Sequence, residues 1–230
     1  MLNNVFITYR YDGDEFDNRL APSLRDLKTK CVSVNSKTES KYISDKIAVG
    51  IETARSNNLI DHNTVVVLCN PNIYVLDQLC VEKLEYIFTT QHNVGVVGIA
   101  GVKKLNSQKN MYDPDNNPVN GVFVGTQHKK FSDVGYYTNV VGVDDTFIAI
   151  RGKFILNNNI AFKNINTGIG INIAFDAIKA GYDVVCADID ISILEHNDVH
   201  STAINYLVNE YCLTYPVQYG NIGISVDVEL

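Results

Sequence analysis

The chain has 230 residues, 46% of them hydrophobic, and a formal charge of −7 from 26 acidic and 19 basic residues. That length and apolar content suit one folded domain with a real core and exclude wholesale disorder. The acidic balance argues against a general nucleic-acid binder; no apolar run reaches a membrane span, and the N-terminus lacks the basic and apolar regions of a signal peptide. Five cysteines, Cys31, Cys69, Cys80, Cys186 and Cys212, are scattered without a CxxC spacing. They read as free thiols in a reducing, cytoplasmic compartment, not as a disulfide scaffold or a zinc site.

In chain order, "NNVFITYR" reads as a strand ending at Tyr9-Arg10, followed by the acidic "YDGDEFDNR". "LAPSLRDLK" reads as a short helix, and "CVSVN" as a second strand that stops at Asn35. "SKYISDKIAVGIETARSNN" places Ile43, Ile47 and Ile51 near helical spacing and ends at Asn57-Asn58. "TVVVLCNPN" is a short β-branched run stopped by Asn70-Pro71-Asn72, as a buried strand ending in a turn would be. "VLDQLCVEKLEYIFTT" reads as a helix with Leu76, Leu79, Leu84 and Ile87 on its apolar stripe, and "VGVVGIAGV" as one Gly-rich strand. The first hundred residues thus alternate strand and helix, which predicts a parallel sheet covered by helices.

The alternation then breaks. Residues 103–120 are polar and turn-rich and read as a loop. "GVFVGT" and "NVVGVDDTFIAIRG" read as strands of a smaller antiparallel addition. "GIGINIAFDAIKAGY" reads as a helix ending at Gly181, where a left-handed cap suits glycine. "DVVCADIDISIL" is a late strand, "EHNDVHSTAINYLVNEY" a loop and helix, and "PVQYGNIGISVDVEL" a tail that can add a strand. With no repeat, low-complexity tract or linker, residues 1–230 are expected to form one domain. Strand ends in such folds are where ligands sit, so Thr8, Tyr9, Arg10, Asn35, Asn70 and Asn72 are candidates on position alone. Asp188 and Asp190 form a literal DXD on the late strand, with a polar strand face as the blander reading.

The order of these motifs resembles a GT-A glycosyltransferase, in particular the small family 2-like proteins, which large DNA viruses also carry. "ISDKIAVGIETARSNN" resembles the helix before the metal strand, and "TVVVLCNPNIYV" the strand that ends in the DXD motif. "VVGVDDTFIAIRGKF", "GIGINIAFDAIKAGYDVV" and "LEH" resemble the acceptor-side half, with its "V-D-G-x-F-x-A-x-R" strand, acidic helix and late His. The likeness spans roughly residues 5–200. It implies a GT-A-like α/β fold, with a mostly parallel central sheet flanked by helices. It further implies a nucleotide-binding half over about 1–100, an acceptor-side half over about 120–200, and a C-terminal helix and tail over 201–230.

The resemblance also implies an activity: transfer of a sugar from a nucleotide-diphospho donor to a saccharide or glycoprotein acceptor, in the cytoplasm, or the host cytoplasm for a viral chain. Thr8, Tyr9, Arg10 and Asn35 would line the base and ribose pocket, with Tyr9 stacking and Arg10 or Lys46 meeting phosphate. Asn70 and Asn72 fall where the family holds the carboxylates for Mg²⁺ or Mn²⁺. Asn72 and a late His196 would then be the metal ligands. Carboxamides bring no charge to a hard cation, so this degenerate DXD puts metal dependence in doubt. Asp144 and Asp145 match the acid near donor sugar and acceptor, one of them as base. Asn172 replaces an acid of the family's helix, and Asp176, one turn on, is the catalytic substitute or a solvated surface charge. His200 is a weaker candidate than His196. The alternative function is a non-catalytic GT-A-like binding or structural module that has lost its metal motif. No GxGxxG follows the first strand and no GxSxG elbow occurs, against a dinucleotide enzyme and a hydrolase.

Overall fold

A computed structural model describes residues 2–10, 16–27, 29–35, 42–124, 127–130, 136–158, 160, 162–163, 165–193, 199–218 and 222. Of these, the side chains of 9, 10, 35, 120–124 and 127–130 are not described.

The chain opens with β1 (Asn3–Arg10), a one-turn π-helix (Phe16–Leu20), α1 (Ala21–Asp26), β2 (Lys30–Asn35), α2 (Ile43–Ser56) and β3 (Thr64–Cys69). There follow β4 (Ile73–Val75), α3 (Cys80–Thr90), β5 (Val94–Gly98), β6 (Ala100–Val102), β7 (Lys104–Leu105), a 3₁₀ turn (Pro114–Asn116), β8 (Pro118–Val124) and β9 (Gln127–Lys130). The second half holds β10 (Tyr137–Asn139), β11 (Gly142–Val143), β12 (Phe147–Arg151), α4 (Gly152–Asn157), α5 (Ile169–Lys179), β13 (Asp183–Ala187), β14 (Ile191–Ile193), α6 (Ser201–Glu210) and β15 (Val217–Gln218).

The main sheet has the order β10-β13-β5-β12-β3-β1-β2. The pairs β1–β2, β1–β3 and β5–β13 are parallel, while β12 runs antiparallel to both β3 and β5. Side-chain alternation divides the sheet into two faces. Val5, Ile7, Val66, Leu68, Ile148 and Ile150 face one core with Ile47 and Ile51 of α2 and Ile171 and Phe175 of α5. Phe6, Val65, Val67, Phe147 and Ala149 face the other, with Leu20, Leu24 of α1 and Leu84, Ile87 and Phe88 of α3. All residues of β3 and β5 are buried, which explains why both read as unbroken apolar runs. A close approach fixes α2 on β1: a Cβ at Gly50 would sit 2.5 Å from Ile7 Cγ2.

Several boundaries differ from the sequence reading. "VLDQL" is not helical. Val75 belongs to β4, and the Leu76 and Asp77 N–H groups both donate to the Asp190 carbonyl. Leu76 and Leu79 are therefore exposed instead of lying on the α3 stripe. "VGVVGIAGV" breaks at Ile99 into β5 of the main sheet and β6 of a second sheet, ordered β11-β6-β8-β14-β4. That second sheet is the smaller addition; it is mixed, because β14 runs parallel to β8. The "loop" over 103–120 contributes β7, the 3₁₀ turn and the start of β8, and the tail strand β15 pairs with β7. The largest difference is "FIAIR": β12 is no peripheral addition but fills the middle of the main sheet, between β3 and β5. Gly181 has the left-handed φ of 81° that ends α5 as expected.

Candidate functional site

Parallel β1, β2, β3, β5 and β13 all point their C-terminal ends to one edge of the sheet. Because β12 runs the other way, the residues before it reach the same edge; Phe147 lies opposite Cys69. Thr8 to Arg10, Asn35, Asn70 to Asn72 and Asp144 to Thr146 thus meet there from well-separated parts of the chain. The connections from β1 to β2 and from β2 to β3 leave β1 on opposite sides, so a topological switch point falls at this edge.

The turn after β3 is self-contained. Asn70 N–H donates to the Thr146 carbonyl at 3.1 Å, which ties the turn to β12. The Asn70 carboxamide oxygen accepts from Asn72 N–H at 3.1 Å, an Asx turn. The Asn72 carboxamide oxygen is buried and has no hydrogen-bond partner, and the same is true of Thr8 Oγ1 at the end of β1. Arg19 reaches this turn from the π-helix. Its Nε donates to the Asn72 carbonyl at 2.6 Å and its Nη2 to Ser192 Oγ at 3.2 Å.

Adjacent Asp144 and Asp145 have different environments. Asp144 is only 2% exposed. Its carboxylate accepts from Tyr112 Oη at 2.8 Å, from Thr146 Oγ1 at 2.9 Å and from Thr146 N–H at 3.1 Å. It is a structural clasp between the 103–120 segment and the start of β12. Asp145 is half-buried and caps α5, accepting from Gly168 N–H at 2.7 Å and Gly170 N–H at 2.8 Å. Burial raises its pKa to about 6 despite those two donors, and neighbouring Asp144 pushes the same way.

That shift has a testable sign. The folded chain holds the Asp145 proton to a higher pH than the unfolded chain, so between about pH 4 and pH 6 the native state binds more protons. Stability from this group is fully present below the unfolded pKa and is lost as pH rises through the window. In urea unfolding, the stability of wild type relative to Asp145→Asn is expected to fall on the order of 2 kcal/mol from pH 4 to pH 7. A pH-independent difference would show that the carboxyl is not desolvated.

The other candidates are dispersed. Lys46 is half-buried near the start of α2, whose N-terminus is bound to the segment before α5: Ser44 N–H donates to the Ile165 carbonyl at 3.2 Å. Asp176 is not a free surface charge. It accepts from Tyr211 Oη at 2.6 Å and from Asn172 Nδ2 at 3.3 Å, in the contact between α5 and the end of α6. His200 precedes α6 and is exposed, while His196 lies outside the described residues, as do the side chains of Tyr9, Arg10 and Asn35. Asp188 and Asp190 are exposed in the connection from β13 to β14, where Asp190 lies beside Leu76 and Asp77, past the end of β4. A lysine serves that acidic pair: Lys83 Nζ donates to Asp77 Oδ2 and to the Asp188 carbonyl, each at 2.6 Å. Burial opposes the Lys83 charge, but the Asp77 hydrogen bond and the charges of Asp77, Asp188 and Asp190 raise its pKa. The Arg of the "FIAIR" strand is also structural. Arg151 donates to the Phe88, Gln91 and Val94 carbonyls and so closes the end of α3.

Sequence reasoning did not single out Arg19, Tyr112, Thr146 or the glycines of "TGIG". Gly168 carries a left-handed φ of 84°, so the Gly-rich start of the helix was a legible signal for a cap. Nothing in the spacing pointed to Tyr112, which reaches Asp144 across 32 residues.

A divalent cation fits the described residues poorly. Among them, no group of three His, Cys, Asp or Glu side chains converges. At the end of β3 one carboxamide oxygen is spent on its own turn and one is unclaimed, whereas Mg²⁺ and Mn²⁺ want several oxygens with carboxylates among them. Among the described residues no helix is long and apolar enough to cross a membrane.

No protein-family model matches the chain, and no curated protein matches it by sequence. Its fold is nevertheless similar to solved structures. A197 from STIV superposes with a TM-score of 0.57 at 10% identity, over 86% of this chain and 94% of that one. GalNAc-T7, solved with UDP, GalNAc and Mn²⁺, superposes with a TM-score of 0.55 at 8% identity, over 86% of this chain and 44% of that one. The chain thus spans less than half of the GalNAc-T7 structure. At such identities the likeness is one of fold, and the fold is GT-A-like.

Proposed function

We propose that the chain transfers a sugar from a nucleotide-diphospho donor to a saccharide or glycoprotein acceptor. The carrying observation is the meeting of Thr8, the Asn70–Asn72 turn and Asp145 at the switch-point edge of the sheet, where α/β folds bind ligands. The nucleotide lies over the ends of β1, β2 and β3, with Tyr9, Arg10 and Asn35 supplying base, ribose and phosphate contacts and Lys46 a further cation.

Asp145 is the acid suited to acceptor chemistry. Asp144 is 2% exposed and clasped by Tyr112 and Thr146, whereas Asp145 is half-buried with its pKa raised to about 6, a carboxylate better suited to act as a general base. In a displacement at the anomeric carbon, the bond from sugar to diphosphate breaks. A bond to the acceptor oxygen forms, and the acceptor's proton passes to an Asp145 oxygen. Asp176 acts at a distance, by holding α5 to Tyr211.

Calorimetry against a panel of nucleoside diphosphates and nucleotide sugars, with and without Mn²⁺, tests the reading. At least one donor is expected to bind saturably; no binding under either condition overturns it. With that donor, Asp145→Asn is expected to lower turnover at least about a hundredfold with donor affinity retained. Undiminished turnover removes Asp145 from the mechanism.

One observation favours a second reading, a non-catalytic GT-A-like module: the turn after β3, Asn70-Pro71-Asn72, supplies carboxamides and no carboxylate of its own. Saturable glycan binding without hydrolysis or transfer of any donor is the result expected of that module.

A further inference from the structure

The turn after β3 lacks anions, and a cation has reached it. Arg19 sits on the π-helix Phe16–Leu20, whose last residue, Leu20, is fully buried and anchors it. Two bonds, to the Asn72 carbonyl and to Ser192 Oγ, fix the plane of the guanidinium against the Asn70–Asn72 turn. A guanidinium has five N–H donors, so three remain. Among the described residues none of the ion pairs involves Arg19; the pairs join Arg55 to Glu52, Lys83 to Asp77, Lys109 to Asp113 and Asp115, and Lys163 to Glu210. Arg19 is thus a part-buried cation held in place by neutral acceptors.

A second observation at the same edge also calls for a ligand. Asn72 Oδ1 and Thr8 Oγ1 are buried without partners, a state that costs about 1–3 kcal/mol for each polar group. Both atoms are closed to solvent, so a ligand at this edge reaches them only if the edge shifts on binding. A fixed guanidinium with three unspent donors suits a phosphate, and the phosphate-bearing ligand of the donor-binding reading is a nucleoside diphosphate or its sugar ester.

The charge balance agrees. Two carboxylates with a dication sum to zero, and that dication is what draws a diphosphate. Two carboxamides need no dication, and with one guanidinium the turn already carries a single positive charge. We propose that Arg19 stands in for the divalent cation, so that the donor's diphosphate is bound without metal by the guanidinium at the β3 turn. This inference rests on the donor-binding reading above.

The test is calorimetry with UDP, GDP and ADP and with the corresponding nucleosides, in EDTA and in MnCl₂. Wild type is expected to bind at least one diphosphate in EDTA, with an affinity that Mn²⁺ changes by less than about threefold. Arg19→Gln is expected to weaken that diphosphate about tenfold or more while leaving the parent nucleoside unchanged, and Arg19→Lys to recover part of the loss. A purely structural arginine would weaken both ligands together or neither. Binding that requires Mn²⁺, or an Arg19→Gln protein with native stability and undiminished diphosphate affinity, overturns the assignment yet leaves the donor-binding reading standing. No binding of any nucleotide under either condition overturns both. The EDTA arm uses wild type, so the proposal stays open to refutation even where a variant fails to fold.

Discussion

Asp144→Ala is expected to lower the free energy of unfolding by about 3–4 kcal/mol. The carboxylate gathers the Tyr112 hydroxyl, the Thr146 hydroxyl and the Thr146 N–H at a site that is 2% exposed. Alanine leaves these donors facing a cavity without their acceptor. Asp144→Asn keeps one acceptor oxygen and turns an NH₂ group towards the remaining donors, so a smaller loss of about 1–2 kcal/mol is expected. Chemical denaturation of the two variants and wild type reads both values. A loss below about 1 kcal/mol in the alanine variant would mean that the clasp between the 103–120 segment and β12 contributes little. The same variants carry a functional corollary. If Asp144 positions the edge, and Asp145 takes the proton, then Asp144→Asn should retain turnover that Asp145→Asn loses.

Gly170→Ala should cost about 2–3 kcal/mol, against the usual sign for such a change. In an open helix, replacing glycine by alanine gains up to about 1 kcal/mol. Here an added Cβ would run into the Val143 carbonyl oxygen and lie 2.6 Å from the Asp144 carbonyl oxygen. Those atoms are backbone and cannot rotate away. Either α5 backs off the edge, breaking the 2.8 Å bond from Gly170 N–H to Asp145, or the turn before β12 shifts. Unfolding measurements give the stability term, and the Asp145 titration should move from its native value, because the change alters both its burial and its Gly170 donor. A variant as stable as wild type with an unaltered titration would show that the helix start tolerates the displacement.

The legibility of this chain followed the kind of signal each part carries. β1, β2, β3, α2 and α5 were readable because their apolar residues recur with the period of the element that buries them. Ile47 and Ile51 lie one helical turn apart and share a core; Val66 and Leu68 alternate with Val65 and Val67 across the sheet. The stripe through Leu76 and Leu79 misled because periodicity does not say whether a partner exists. The Asp190 carbonyl captures the Leu76 and Asp77 N–H groups and the Asp77 carboxylate captures the Leu79 N–H in a turn, so both leucines face solvent. Likewise "FIAIR" announced a strand but not its neighbours, since pairing with β3 and β5 is decided by segments some eighty and fifty residues away. At the candidate site, strand ends were legible from Tyr9-Arg10, Asn35 and Asn70-Pro71-Asn72. Arg19 was not, because a lone arginine in an acidic stretch gives no hint of the carbonyl it will meet.

The central place of β12 governs how the molecule can be assembled. A ribosome that has delivered β1 to β5 has made the β3-β1-β2 block of the main sheet and a β5 that still lacks both neighbours, β12 and β13. β3 and β5 cannot pair with each other across the gap that "FIAIR" later occupies. Until then both carry fully buried-type apolar runs with an unpaired edge, the surface most prone to wrong partners. The first hundred residues are therefore a half in sequence only. They cannot be cut away near residue 102 and studied alone without laying open two core strands, and the edge where Thr8, Asn70 and Asp145 meet is complete only when β12 arrives.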